Sequence, residues 1–357
     1  MTTVQTALTA AGLAAVAALV SARATGAVIP WLRRLAVIDH PNDRSSHVIP
    51  TPRGGGWGVL MTMAPAWIAI GWLNGALAQL APTLAGLALV AAVSWRDDRH
   101  GLSARVRFLA QIGAVALGLL SLPGESLVFQ GLLPWGADRC AAGFCWLWFL
   151  NLSNFMDGID GLAGGQAVAN GLGVAVVALT VPGLAAPGLT PDAGAELAWR
   201  AAALAGAATG FLVWNWRPAK VFLGDVGSVP LGFALGSLLL TLAAAGAWVA
   251  ALLLPLYFLT DATFTLLKRL VEGKKIWQAH REHFYQRAVQ RGFNHAQVSA
   301  AVAVANLGLI ALAVAAPTLG WLAPPAGAAV IALLLAHLLA GRPPRSRPPC
   351  SRMDSTA

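Results

Sequence analysis

The chain is poor in charged residues and in cysteine. Charged residues make up 11% of its 357 residues, hydrophobic residues make up 57%, and the mean hydropathy is +0.66. Because a soluble domain carries about 25% charged residues, this composition excludes one. The three cysteines, Cys140, Cys145 and Cys350, lack the spacing of a metal site. Cys140 and Cys145 are near enough in sequence to meet, but unpaired packing among apolar side chains is the favoured interpretation.

Apolar runs of about 20 residues, the length that crosses a bilayer, recur along the chain. They predict an all-α polytopic integral membrane protein, a bundle of ten or eleven transmembrane helices in a single domain over residues 1–341. The first span has no Ala-x-Ala-type cleavage site, so we expect a retained anchor. Residues 342–357, rich in proline and arginine, are predicted to be a disordered tail. The candidate spans are 6–29, 57–77, 80–95, 106–122, 140–153, 163–181, 197–214, 229–245, 247–267, 298–316 and 319–340.

Lysine and arginine are distributed unequally over the predicted loops. Of the 24 lysines and arginines, all but Arg23, Arg139 and Arg200 fall on one side of the predicted membrane. Positively charged loops stay in the cytoplasm, so this side is predicted to be cytoplasmic and the N-terminus external. The topology and attraction to anionic lipid headgroups account for the basic pI of about 10.5, and nucleic-acid binding is not expected.

The segment NLSNFMDGIDGL, residues 151–162, follows an apolar run and carries two amides and two carboxylates at three-residue steps. On a helix this spacing places Asn151, Asn154, Asp157 and Asp160 along one face as a polar stripe, and the glycines between them permit close approach of a backbone or ligand. Ionisable groups at a membrane boundary are costly and therefore usually mark a site.

The loop HPNDRSSHVIPTPRGGG, residues 40–56, carries Arg44, His47 and Arg53 before a glycine triplet. Backbone N–H groups of such a triplet are able to surround a phosphate. A surface turn is the alternative interpretation, because the loop consists largely of turn-forming residues.

Carboxylates occur at two further span boundaries. DDRHGLSARVRF places Asp97 and Asp98 at the end of one span and Arg107 at the start of the next, and VFLGDVGSVPLG places Asp225 between glycines at the start of another. Solvated boundary charge is the alternative interpretation of each. Such hard oxygen ligands are, however, what divalent metals take beside substrate phosphates.

The last basic loop contains AHREHFYQR, with His280, Arg281 and His283. The spacing of the two histidines suits zinc, but no third ligand has a convincing spacing. We therefore favour contact with an anion or a sugar.

Polar motifs thus occur in five loops on one predicted face, whereas the opposite loops carry little beyond turn residues. That composition predicts a phosphorylated, anionic substrate, with carboxylates holding Mg²⁺ and cations offsetting the remaining phosphate charge. The alternative class is a lipid or solute transporter. Transporters place polar groups near the membrane midplane and often show repeated halves, and this sequence shows no internal repeat.

Taken together, NLSNFMDGIDGLAGG, VFLGDVGSVPLG, the DD-x-x-GLS run, PNDRSSH with PRGGG, and HREHFYQR resemble the polyprenyl-phosphate N-acetylhexosamine-1-phosphate transferases of glycosyltransferase family 4. The resemblance runs from about residue 31 to residue 295 in family order. It implies that undecaprenyl phosphate attacks the β-phosphate of a UDP-N-acetylhexosamine, giving undecaprenyl-diphosphate-sugar and UMP in the bacterial inner membrane, with the site facing the cytoplasm. A homodimer is compatible with this architecture.

The resemblance also implies roles for individual residues. Asp225 is expected to bind Mg²⁺, with Asn154 or Asp157 completing the protein ligands and Mn²⁺ able to substitute. Asp97, with Asp98 beside it, is expected to keep the lipid phosphate deprotonated and aligned. The expected catalytic residues are Asp97, Asp98, Asp157 and Asp225, and the expected substrate-binding residues are Arg44, His47, Arg53, Arg107, Asn151, Asn154, Asp160, His280, Arg281 and His283.

Within the family, the sequence is most similar to the branch that initiates O-antigen or related envelope glycans. The alternative is the phospho-N-acetylmuramoyl-pentapeptide transferase branch of peptidoglycan synthesis, which carries three consecutive histidines in the last cytoplasmic loop. Here that loop has arginine and glutamate between its two histidines, which disfavours the peptidoglycan branch. An apolar groove that includes Trp146, Trp148, Trp214 and Trp216 is a further expectation for the lipid chain, although tryptophan is also common at membrane interfaces.

Overall fold

The computed structural model describes residues 2–41, 49–181, 193–275, 278 and 280–341. Within these residues the chain forms thirteen α-helices and one two-stranded hairpin. The helices are α1 (Thr3–Arg34), α2 (Gly56–Leu73), α3 (Leu77–His100), α4 (Ala104–Leu119), α5 (Trp135–Phe155), α6 (Leu162–Thr180), α7 (Ala193–Asn215), α8 (Asp225–Leu242), α9 (Trp248–Leu253), α10 (Leu256–Val271), α11 (Phe284–Gln290), α12 (His295–Leu319) and α13 (Ala323–Leu339).

The predicted all-α membrane architecture is confirmed. Each of the eleven predicted spans falls on helix, and seven helical segments of the described chain are long and apolar enough to cross a membrane. Two of those segments, Asp225–Leu253 and His295–Leu339, each contain two helices in succession. The predicted span 247–267 is divided near Pro255, the N-cap residue of α10, which has no N–H to continue the ladder of α9.

Small residues allow α1 and α7 to pack closely along their length. A methyl group on Gly206 would lie 2.2 Å from the carbonyl oxygen of Ala14, and one on Gly210 would lie 2.3 Å from that of Ala18. The buried Ser21 hydroxyl donates to the Ala207 carbonyl at 2.7 Å. Close backbone approach and interhelical hydrogen bonds hold helices together in lipid, where apolar burial adds little.

Two apolar clusters form the interior. The larger involves chiefly α1–α8, and the smaller joins the end of α5 and the start of α6 to α10–α13. The hairpin strands β1 (Ile38–Asp39) and β2 (Thr51–Pro52) are antiparallel, with Ile38 opposite Pro52. The next residue, Arg53, forms a parallel bridge with Phe222. This bridge joins the 35–55 loop to the segment that leads into α8.

We call one end of the bundle the motif end and the other the opposite end; the motif end carries residues 35–41, 49–55, 101–103, 156–161, 216–224, 272–275 and 280–294. The predicted tail, 342–357, lies outside the described residues. Cys140 and Cys145 are free and exposed in the structure.

Candidate active site

Arg53 links two carboxylates at the motif end. Its Nε lies 2.8 Å from Asp98 Oδ1, and its Nη2 donates to Asp225 Oδ1 at 2.7 Å. Burial would lower the pKa of Arg53, but the charges of Asp225 and Asp98 outweigh it and raise the pKa above its ordinary value. The bridge to Phe222 fixes the arginine backbone beside the start of α8.

Asp98 forms the N-terminal cap of α8. Its side chain is fully buried, and it accepts the N–H of Asp225 at 3.0 Å and that of Val226 at 2.8 Å. A carboxylate at a helix N-terminus satisfies free N–H groups and opposes the helix dipole. Gly224, with φ of 74°, leaves the room this requires, since a methyl group there would lie 2.9 Å from Asp98 Oδ2. In this structure Asp98 therefore positions Asp225 and faces no solvent.

Asp97, its neighbour, has different partners. Asp97 Oδ2 lies 2.9 Å from Nη1 of Arg107, which also lies 3.4 Å from Asp225 Oδ2. The other oxygen of Asp97 accepts the N–H of Leu102 at 2.6 Å. The Arg107 side chain is 38% exposed and the Arg53 side chain is 35% exposed. The two arginines are therefore about equally open to an incoming anion. Both guanidinium groups are thus available at the rim of the cluster.

Asp157 completes an acidic excess in this cluster. Burial, and next the charge of Asp225, raise the pKa of Asp157 to about 7. The cluster has four carboxylates, Asp97, Asp98, Asp157 and Asp225, and two guanidinium groups, Arg53 and Arg107. Carboxylates that repel one another in this way attract a cation.

Asn154 faces the same space as Asp225. Both line a cavity of about 20 Å³ together with Arg107, and the Asn154 amide oxygen accepts the Ser228 hydroxyl at 2.7 Å. The described residues contain no group of three or more His, Cys, Asp or Glu side chains arranged around a metal. Mg²⁺ does not need one, because it commonly binds through one or two carboxylates, waters and substrate phosphates. Asp225 and Asn154, which share the cavity, and Asp157 on the adjacent turn carry oxygen donors of the kind that Mg²⁺ takes.

The predicted polar stripe along one helix is wrong. Helix α5 ends at Phe155, so Asn151 and Asn154 lie on the helix, whereas Asp157 and Asp160 lie on the turn that follows. The cause is the glycines of this segment: Gly161 adopts φ of 79° and begins the next helix from a left-handed conformation. Because of this turn, the four side chains do not share one helix face and contact different neighbours.

Asn151 and Asp160 make contacts typical of structural residues. Asn151 donates to the Gln111 side chain of α4 at 3.0 Å. Asp160 is buried, accepts the N–H of Ala219 at 3.3 Å, and lies 3.2 Å from Nδ1 of His295 at the start of α12. Burial opposes ionisation, but the His295 hydrogen bond and charge outweigh it and lower the pKa of Asp160. That these two residues bind substrate stays a prediction.

The glycine triplet does not form a phosphate cradle. The N–H groups of Gly54 and Gly55 donate to the Phe222 carbonyl at 3.1 and 2.8 Å, and that of Gly56 donates to the Leu223 carbonyl at 2.9 Å. The triplet instead permits contact between loops, because a methyl group on Gly56 would lie 2.2 Å from the Gly227 Cα. Arg44 and His47 of the same loop lie outside the described residues.

The last loop places its two histidines together, with ring centroids 4.7 Å apart. His283 is buried, whereas His280 is partly exposed. Burial, with the charges of His283 and Arg269, lowers the pKa of His280 to about 4, so its ring is neutral at physiological pH. The backbone carbonyl of Arg281 accepts from the Gln290 side chain at 2.9 Å. A neutral His280 suits a hydrogen bond to a sugar better than charge pairing with a phosphate.

An apolar cavity of about 660 Å³ lies between α5, α8, α9 and α10. Trp146 and Trp148 line it, as expected for a lipid groove. Trp214 does not belong to this groove, because it packs between α7 and α1 and donates to the Ala22 carbonyl at 2.7 Å. Trp216 packs against Gly161.

Asp261, a buried carboxylate that contacts the last loop, was not predicted from the sequence. It lies within α10, is fully buried, and accepts the N–H groups of Phe284 and Tyr285. A detectable signal was present: YFLTDATFTLL contains one charged residue in an otherwise uncharged run. Asp261 belongs to none of the motifs quoted above.

Known proteins resemble this chain in sequence. The profile described as glycosyl transferase family 4 matches residues 80–243. The probable undecaprenyl-phosphate N-acetylglucosaminyl 1-phosphate transferase of Bacillus subtilis (strain 168) is 27% identical over 285 residues, covering 75% of each chain. The decaprenyl-phosphate N-acetylglucosaminephosphotransferase of Mycolicibacterium smegmatis is 30% identical over 317 residues, covering 78% of this chain and 75% of that protein. The chain belongs to glycosyl transferase family 4.

A second kind of relative occurs within that family. The phospho-N-acetylmuramoyl-pentapeptide-transferase of Rippkaea orientalis is 32% identical over 251 residues, covering 63% of each chain. Identity is thus slightly higher, over a shorter stretch, than for the mycobacterial protein. Identity alone therefore does not choose between the two substrates.

Proposed function

We propose that this protein transfers an N-acetylamino-sugar 1-phosphate from a UDP-sugar to undecaprenyl phosphate. An oxygen of the lipid phosphate bonds to the β-phosphorus, the bond from that phosphorus to the bridging oxygen breaks, and UMP leaves. The product is undecaprenyl-diphosphate-sugar. The observation that carries the proposal is the cluster of four carboxylates and two arginines at one membrane face, in a chain with an apolar cavity of about 660 Å³.

The chain's own residues supply positioning and charge. Arg53 and Arg107 are partly exposed and would bind phosphate oxygens, since a guanidinium group presents paired donors to such oxygens. Asp98 holds the start of α8, and so fixes Asp225. Asp97 is the acidic group nearest to Arg107 and would help to orient the attacking phosphate. Little proton transfer is needed, because the second pKa of a phosphate monoester is about 6.

Asp225, Asn154 and Asp157 are the residues that would hold Mg²⁺, or Mn²⁺ in its place. Bound there, the ion would offset diphosphate charge and stabilise the leaving phosphate. The positions of Asp225 and Asn154 on one small cavity support this assignment. Asp225 now pairs with both arginines, so binding of a diphosphate would redistribute these guanidinium groups onto phosphate oxygens.

We further propose that the motif end faces the cytoplasm of a bacterium, in the inner membrane. The unequal distribution of lysine and arginine supports this orientation. In a cysteine-free background, Ser103→Cys at the motif end should react with an impermeant thiol reagent only after the membrane is opened, and Glu125→Cys at the opposite end should react in intact cells. Both side chains are exposed. The reverse pattern would contradict the orientation.

The experiment that tests the function is UMP release by purified protein with undecaprenyl phosphate, Mg²⁺ and a panel of UDP-sugars. The panel contains UDP-N-acetylglucosamine, UDP-N-acetylgalactosamine, their 6-deoxy counterparts and UDP-N-acetylmuramoyl-pentapeptide. We expect release that requires the lipid and occurs with one or more of the simple amino sugars, as the initiating step of an O-antigen or related envelope glycan. Release with the pentapeptide substrate alone would assign the peptidoglycan reaction, and no release with any donor would reject the transferase.

A further inference from the structure

The buried carboxylate of Asp261, in α10, binds the first two residues of α11. Its Oδ1 accepts the N–H of Phe284 at 3.0 Å and lies 3.2 Å from Nδ1 of His283. Its Oδ2 accepts the N–H of Tyr285 at 3.2 Å and the hydroxyl of Tyr257 at 3.1 Å. The two N–H groups are the first of α11 and have no partner within that helix. Asp261 therefore caps α11 from a different helix.

Tyr285 extends this contact to the turn that carries Asp157. The Tyr285 side chain is fully buried, and its hydroxyl donates to the Phe155 carbonyl, the last of α5, at 3.0 Å. The ring also fills the space beside Gly158, since a methyl group there would lie 2.2 Å from the Tyr285 hydroxyl oxygen. Asp157 lies between these two contacted residues in the chain. Tyr285 thus contacts the backbone on both sides of Asp157.

Apolar packing ties the same segments together. Met156 and Ile159 of the turn belong to one buried cluster with Phe258 of α10 and with Phe284 and Tyr285 of α11. A rigid packed cluster transmits a displacement from one member to the next. A shift of α11 would therefore be passed to the turn.

We propose that Asp261 is a positioning residue for the transfer reaction, which holds α11 so that Tyr285 fixes the Asp157 turn against the Asp225 cluster. This inference rests on the proposed function. The Asp261 carboxylate is fully buried and acts only through Tyr285 and the turn.

The chemistry of the pocket explains why a carboxylate is required. Two backbone N–H groups and the Tyr257 hydroxyl all donate to Asp261. Asparagine has the same shape but replaces one acceptor oxygen with an NH₂ group, which would face a backbone N–H. The start of α11 would then move to relieve that contact, and misplacement by about 1 Å is able to cost about a hundredfold in rate.

The chain offers a matched control in Asp138. This carboxylate is also fully buried and accepts two backbone N–H groups, those of Val128 at 3.0 Å and Phe129 at 2.8 Å, but it lies at the opposite end of the bundle. Asp261→Asn and Asp138→Asn should both lower the melting temperature. Only Asp261→Asn should lower kcat for UMP release, by about tenfold or more. A kcat for Asp261→Asn within about twofold of that for Asp138→Asn would overturn the proposal.

A suppressor pair tests the path through Tyr285. Gly158→Ala should lower kcat about tenfold, because the added methyl group collides with the Tyr285 hydroxyl. Tyr285→Phe removes that oxygen, so the double variant should be more active than Gly158→Ala alone and should approach Tyr285→Phe. A double variant no better than Gly158→Ala would exclude the path. Absence of UMP release from the unmodified protein would instead reject the proposed function, so the two failures are distinguishable.

Discussion

The two ends of the bundle each contain buried charge, but in different balance. At the opposite end, the buried Asp138 accepts two backbone N–H groups, and Glu196 and Arg200 form one ion pair, 3.4 Å apart, beside a cavity of about 40 Å³ lined by polar and apolar side chains. At the motif end four carboxylates face two arginines, and the pKa of Asp157 rises to about 7 because of burial and the charge of Asp225. The Glu196–Arg200 pair carries one charge of each sign. An excess of carboxylates over cations favours the binding of a further cation and is typical of a functional site.

The largest expected effect is that of Asp225→Asn at the motif end. The substitution keeps the shape of the side chain but removes the charge that would offset Mg²⁺ beside the phosphates. Loss of one such electrostatic contribution is worth on the order of 3 kcal/mol, so UMP release should fall at least about a hundredfold. Stability should change little, because Asp98 still caps α8 and repulsion within the acidic cluster is reduced.

The control for Asp225→Asn is the melting temperature of the purified variant beside that of the unmodified protein. If the variant kept more than about a tenth of UMP release at saturating Mg²⁺, the loss would be below about 1.4 kcal/mol. The metal would then have to be assigned to Asp157 and Asn154 without Asp225.

An intermediate effect is expected from Arg53→Lys. Arg53 contacts Asp98 through Nε and Asp225 through Nη2, and a single ammonium group is unable to reproduce both contacts. UMP release should fall about tenfold, or by about 1.4 kcal/mol, although the charge is kept. Arg105→Lys is the matched control, because Arg105 is an exposed arginine at the start of α4, two residues before Arg107. Equal activity of both variants would show that Arg53 contributes charge alone.

Local sequence patterns predicted the elements that depend on neighbouring residues. Apolar runs predicted the spans, and Asp225 lies at the start of α8, as the glycines and the apolar run predicted. Local patterns did not predict the partners of Arg53, because Arg53 and Asp225 are separated by 172 residues in the chain. The glycine triplet shows the same limit. Its composition suits a phosphate cradle, but contacts with Phe222 and Leu223 determine where its N–H groups point.

The end of α5 shows why even a strong motif misled. Three-residue spacing predicts a helical stripe only if the helix continues, and it stops at Phe155. The glycines were visible in the sequence, but whether they bend the chain depends on what packs there. Here Tyr285 fills the space beside Gly158, and Asn215 accepts the N–H of Gly161 at 3.0 Å. Tertiary contacts thus override the local pattern.

The smallest effect on activity is expected at the opposite end, in the double variant Glu196→Gln, Arg200→Met. Replacing both partners of a buried pair removes their attraction and their desolvation cost together, and such changes are often neutral. UMP release should stay within about twofold of the unmodified protein. Arg200→Met alone leaves Glu196 buried without its partner, so it should destabilise the fold by about 3–5 kcal/mol while the kcat of the folded fraction is unchanged. A tenfold loss of kcat in the double variant would show that the charges of the Glu196–Arg200 pair affect the active site. The ratio of carboxylates to cations would then not distinguish a structural pair from a functional one.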